Sequence, residues 1–143
     1  MIANTCEVRV GRLMEITVDA GYGSAADVDA MIAMIGARFA SLPPAATAVI
    51  AADWRGVHLM APETSERAHA MLTARNPRIE RSAILVSSLS SIELLQFIRI
   101  VREGQHPSRR IFDGTRPMLG WLGEVLTAAE GARLATFLAR AMP

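Results

Sequence analysis

The sequence contains no lysine; all fifteen of its basic residues are arginine. That absence removes three classes of chemistry. Schiff-base enzymes and pyridoxal-phosphate enzymes both need a lysine amine. A P-loop needs one at the β- and γ-phosphates. Cysteine is nearly absent too, with Cys6 alone. One thiol makes neither an intrachain disulfide framework nor a multi-thiolate zinc site, which points to a reduced, cytoplasmic compartment. No apolar run approaches the ~20 residues of a membrane span. The opening stretch MIANTCEVRV lacks a basic start followed by an apolar segment, so no signal peptide is expected.

What is present suits one folded domain. The chain has 143 residues, 51% of them hydrophobic, enough to bury a single core without staples. The net charge of +1 names no partner. Cys6–Val10 and Leu13–Val18 alternate as half-buried strands do, with Gly11-Arg12 as the turn. Met14, Ile16 and Val18 share one face of the second strand, Glu15 and Thr17 the other. Ser24 and Asp27 open a helix whose stripe is Val28, Met31, Ile32, Ile35 and Phe39. Pro43-Pro44 ends it.

Thr47–Ala52 reads as a buried strand, and Pro62 opens a second helix that Asn76-Pro77 closes. Ser82–Ser87 is another buried strand. Ser90 and Glu93 form a capping box for a third helix, with Leu94, Leu95, Phe97, Ile98 and Val101 as its apolar face and Ile92 and Ile100 outside it. Arg109–Phe112 is a short last strand. Thr115 starts a helix to about Leu126, and Thr127 with Glu130 caps a terminal one. The order β-β-α-β-α-β-α-β-α-α predicts an α/β fold with a five-stranded mixed, mostly parallel sheet and one hairpin strand at or near an edge.

Gly21, Gly23 and Ala26 fit the G-x-G-x-x-[G/A] phosphate cradle. That motif needs a doubly buried strand before it and an acid about 20 residues on. The strand here looks one-sided, and Asp53 is the nearest candidate acid, so a loop turning into a capped helix is expected and no nucleotide or other cofactor. His58, His69 and His106 are too far apart in sequence, and from Cys6, to form a metal-ligand pair. No G-x-S-x-G elbow exists, and no catalytic residue stands out.

The stretch AADWRGVHLMAPETSERA carries a resemblance. With the β-β-α-β-α-β-α-β-α order, it is similar to the STAS domain, the anti-sigma-factor antagonist fold, and to bacterial STAS-like proteins that also look like lipid-binding CRAL-TRIO domains. The stretches NPRIERSAILV and RRIF resemble the latter group. The likeness covers residues 6–126, with 128–143 as an extra C-terminal helix. The family carries Asp-x-Ser-Gly after the strand matching Thr47–Ala52, and its serine or threonine is phosphorylated by a partner kinase. Here the motif reads Asp53-Trp54-Arg55-Gly56. The resemblance implies a regulatory or scaffolding module without that acceptor; the alternative is a small-molecule or lipid carrier. An apolar cavity of a few hundred Å³ separates the second from the first.

Ligands of open α/β sheets gather at the carboxyl ends of the strands. Asp53, Trp54, Arg55, Ser88, Ser90, Asp113 and Arg116 are therefore the expected partner-binding residues. Seven arginines between 75 and 110 face three glutamates, and Phe97 is the single Phe, Tyr or Trp among them, too little for a stacking platform, so nucleic acid is not the expected partner. Ala26, Ala30, Ala33 and Ala37 line the far side of the first helix and are the candidate homodimer face.

Overall fold

The computed structural model describes residues 2–87 and 90–141. Alternation in the first residues becomes an antiparallel pair, β1 (Asn4–Val8) and β2 (Leu13–Val18), with Cys6 opposite Ile16. The pair sits two residues earlier on the first strand than expected. Val10 belongs to the turn, where its carbonyl accepts from Leu13 N–H (3.3 Å), and Gly11 takes φ +58°.

Then follow α1 (Ala25–Ser41), β3 (Ala48–Asp53), α2 (Pro62–Thr73), β4 (Ile79–Leu85), α3 (Ser91–Glu103), β5 (Arg109–Phe112), α4 (Thr115–Gly123) and α5 (Ala128–Leu138). β4 begins three residues before its expected start, because Asn76–Arg78 makes a 3₁₀ turn that feeds straight into Ile79. Ser24 with Asp27, Ser90 with Glu93 and Thr127 with Glu130 each form a complete capping box. Each box satisfies N–H groups that a helix start leaves open.

The strands lie in the order β1-β2-β3-β4-β5, antiparallel at the first pair and parallel thereafter, so β1 is an edge. The chain is thus α/β with a five-stranded mixed, mostly parallel sheet. Helices cover both faces. Val28, Met31 and Phe39 of α1, Ala68 of α2, and Phe97 and Ile100 of α3 pack with Met14, Ile16, Ile50 and Ile84. On the other face Met118 and Leu122 of α4 and Leu134, Phe137 and Leu138 of α5 pack with Leu13, Val49, Ala51, Ala83 and Leu85. Among the described residues no helix is long and apolar enough to cross a membrane.

Two expectations about faces are corrected. β2 is buried on both sides: Glu15 is 3% and Thr17 9% exposed. Glu15 accepts two hydrogen bonds from Arg133 of α5, both 2.7 Å. A carboxylate goes inside only with such a partner, and this one lies 118 positions away. α3 is rotated from its expected setting. Phe97 and Ile100 face the core, while Leu94, Leu95 and Ile98 face out. Phe97 meets the Trp54 ring edge-on at 5.5 Å and packs with Ile100 into the core cluster on that face.

Candidate functional site

β3 ends at Asp53, which is 1% exposed yet charged. Arg55 folds back on it, donating through Nε (3.0 Å to Oδ1) and Nη2 (2.7 Å to Oδ2), and the Arg55 N–H adds a bond at 3.1 Å. Arg140, just after α5, reaches the same carboxylate with Nη2 at 2.8 Å. Arg140 also clamps Asp19, beyond the end of β2, with Nη1 and Nη2 at 2.8 and 2.7 Å. Two carboxylates and two guanidiniums thus close on one another. Burial pushes the Asp53 carboxyl up, but hydrogen bonds and charge from Arg55, with Arg140 behind it, hold it below its ordinary value. A carboxylate so held is a poor general base near neutral pH.

Trp54, the next residue, points the other way. It was expected on a partner surface, but its ring is 1% exposed and stands edge-on to Tyr22 (5.7 Å) and Phe97 (5.5 Å). The alternation of a strand's end explains the placement: Asp53 faces α5, so Trp54 faces the α1–α3 core. Ser90 caps α3 and exchanges bonds with Glu93, whose other oxygen lies 3.5 Å from His58 Nδ1. Asp113 is exposed. Arg116 lines a separate cleft of about 130 Å³ between α4 and α5. Ser88 lies outside the described residues.

Of the expected residues, Asp53 and Arg55 share one network, Trp54 turns into the core and Arg116 lines another cleft. A crevice at the carboxyl ends of the strands opens where the strand order reverses, and this order runs β1 to β5 without reversing. The glycine motif shows what fills that end instead. Gly21 has φ +75°, and a Cβ there would sit 3.1 Å from the Gly56 carbonyl oxygen. A Cβ on Gly56 would sit 2.7 Å from the Val18 carbonyl oxygen. The loops after β2 and β3 lie against each other, and both glycines serve that closeness.

The surface that stands out is elsewhere. Ile92 (66%), Leu95 (67%), Leu94 (41%) and Ile98 (37%) of α3 are exposed, and Leu59 (55%) of the loop before α2 lies beside them. Leu59, Ile92 and Leu95 line a groove of about 530 Å³ between α2 and α3. Its floor includes Met60 and Gln96, which trade bonds: Met60 N–H donates to Gln96 Oε1 (2.9 Å), and Gln96 Nε2 donates to the Met60 carbonyl (2.8 Å). Its rim is polar, with Glu66, His69, Arg99 and Glu103. Sequence reading noticed the surplus apolar residues of α3 but assigned most of them to the core. The signal was their number, since they occur on more sides of the helix than one buried stripe uses.

The arginines of the 75–110 segment part company in space. Arg75 and Arg78 stack over Phe39 on one face of the sheet, at 5.7 and 5.2 Å from the ring centre. Arg81 and Arg110 stack over Trp121 on the other, at 4.8 and 4.7 Å. The rings they stack on, Phe39 and Trp121, come from distant sequence. Neither family models nor curated proteins nor solved structures yield a match to this chain.

Proposed function

We propose that the chain is a non-enzymatic regulatory or scaffolding module that binds another protein, and that α3 is its docking helix. The outward apolar arc of Ile92, Leu94, Leu95 and Ile98 carries this reading. Four large apolar side chains on the outward side of one helix, interspersed with Arg99 and Arg102, are more than a solvated face ordinarily carries, and exposed apolar patches mark interaction sites. The α2–α3 groove, apolar at its centre and polar at its rim, suits an amphipathic helix of the partner. The STAS-like resemblance supports a regulatory role, and Arg55 at the acceptor position makes the interaction independent of phosphorylation there. A carrier role has less support. Carriers need an apolar space of some hundreds of Å³, and the cavity enclosed between α1, α2 and the sheet offers about 30 Å³.

The test compares wild type with the Ile92→Glu, Leu95→Glu double variant in pull-downs from the native host, read by mass spectrometry. Both positions are exposed, so the melting temperature should hold. We expect the captured protein to disappear. Equal capture by both forms would overturn α3 as the docking helix.

A further inference from the structure

Arg109 opens β5 on the α1–α3 side of the sheet and is 6% exposed. Its Nη2 donates to Asn76 Oδ1 (3.2 Å). Its buried Nε and Nη1 find no acceptor among the described residues. Arg133 and Arg140 are paired with carboxylates, Glu15 for the first and Asp19 and Asp53 for the second, and Arg78, which also has a buried Nε without an acceptor, donates to three backbone carbonyls; Arg109 alone has two such nitrogens among the described residues. A buried guanidinium without a counter-ion is among the costlier things a fold can hold. Burial alone pushes this one down to about 10, and no anion offsets it.

Arg109 is also one of the residues that line the narrow cavity between α1, α2 and the sheet. Its walls are mostly apolar, among them Phe39, Leu72, Ile79 and Ile84, and no aspartate or glutamate among the described residues lines it. Ser82 lies opposite Arg109 in the strand register, and Arg75 joins them in the lining. Arg75 itself is exposed, and its tip passes close to α1. Gly36, inside α1, would place a Cβ 3.0 Å from Arg75 Nη2.

We propose that this cavity binds a small monocarboxylate, its carboxylate on Arg109 and its short tail against Leu72, Ile79 and Ile84. The planar fork of a guanidinium matches a carboxylate. Apolar walls favour an organic anion over a strongly hydrated inorganic one. About 30 Å³ open to the centre of a water molecule limits the ligand to a few carbons. This site is independent of the α3 surface.

The chain has two tryptophans, Trp54 and Trp121, and Trp54 lines this cavity. Trp121→Phe protein therefore reports on it by fluorescence. It is titrated with sodium formate, acetate or butyrate against sodium isethionate at constant ionic strength. We expect a saturable change in Trp54 emission with a millimolar or tighter midpoint and a melting temperature raised by about 3–5 °C at saturation. Arg109→Met should fold, since it replaces a lone buried charge by an apolar chain, and should show neither effect; Arg109→Gln is the second variant, with the same expectation. Leu72→Phe, which fills the cavity and keeps Arg109, should weaken the midpoint at least about tenfold, by loss of apolar contact and space. A flat wild-type titration to about 100 mM, far above a millimolar Kd, overturns the proposal. So does a response that survives Arg109→Met and Arg109→Gln, or one that Leu72→Phe leaves unchanged. An equal response to chloride overturns the carboxylate assignment.

Discussion

Asp53 and Trp54 are chain neighbours with opposite fates, and both were read as surface. Asp53 keeps its charge because Arg55 and Arg140 replace the water it lost. Removing the charge leaves those two guanidiniums facing each other, so Asp53→Asn should cost about 2–3 kcal/mol at neutral pH, the range for breaking a mostly buried pair. The pH dependence follows from the direction of the shift. The folded carboxyl titrates below its unfolded value of about 4, so its contribution is complete above that pH and is lost as pH falls through the folded value. Urea unfolding between about pH 7 and pH 2 should show wild type losing its advantage over Asp53→Asn only below about pH 4. A gap that stays constant to low pH would mean the network contributes nothing through charge. Trp54→Ala, by contrast, removes a core ring that touches Tyr22 and Phe97. It should cost about 3–5 kcal/mol, measured in the same urea series. Stability lowered by under about 1 kcal/mol would contradict that core role.

Among elements, the legible ones carried local signals. Three capping boxes, the Pro62 helix start and the alternation in β2 are decided within a few residues, and each element formed close to where it was read. What was not legible depends on partners far along the chain. Glu15 looked solvent-facing because Arg133 could not be paired with it from sequence. The inward side of α3 was misplaced because nothing local says that Phe97 and Ile100, rather than Leu94 and Leu95, meet the core that includes Trp54. α5 is the strongest case. Read as an appendage to a STAS-like domain, it contributes Leu134, Phe137 and Leu138 to the second core. Glu130 accepts from Arg12 N–H (2.8 Å) at its start, and Arg140 binds Asp19 and Asp53 just beyond its end. Leu134→Ala should then cost about 3 kcal/mol, the value of a central core leucine, by chemical denaturation. A cost below about 1 kcal/mol, typical of surface positions, would mark α5 as dispensable.

For the whole molecule the open matter is which uncovered face meets another chain. Two faces compete. Ala26, Ala30, Ala33 and Ala37 of α1 are exposed, as the alternation of its core stripe predicted. They let two helices approach closely, but each contributes a single methyl. Burying a methyl-sized group is worth about 0.8 kcal/mol, while a leucine or isoleucine side chain is worth about 1.5–3 kcal/mol. The four exposed large side chains of α3 therefore outweigh the four alanines, whatever the geometry of contact. Association also costs several kcal/mol in lost freedom, which the alanine strip alone does not offset. Self-association at high concentration should accordingly run through α3 and compete with the protein partner proposed for that surface. Sedimentation of wild type near 100 μM, in the range where weak dimers show, should reveal concentration-dependent association. Leu95→Glu should abolish it, and the Ala30→Glu, Ala33→Glu double variant should leave it intact. The reverse result, with the alanine variant monomeric and Leu95→Glu still associating, would move the interface to α1. A strictly monomeric wild type would remove self-association from both faces.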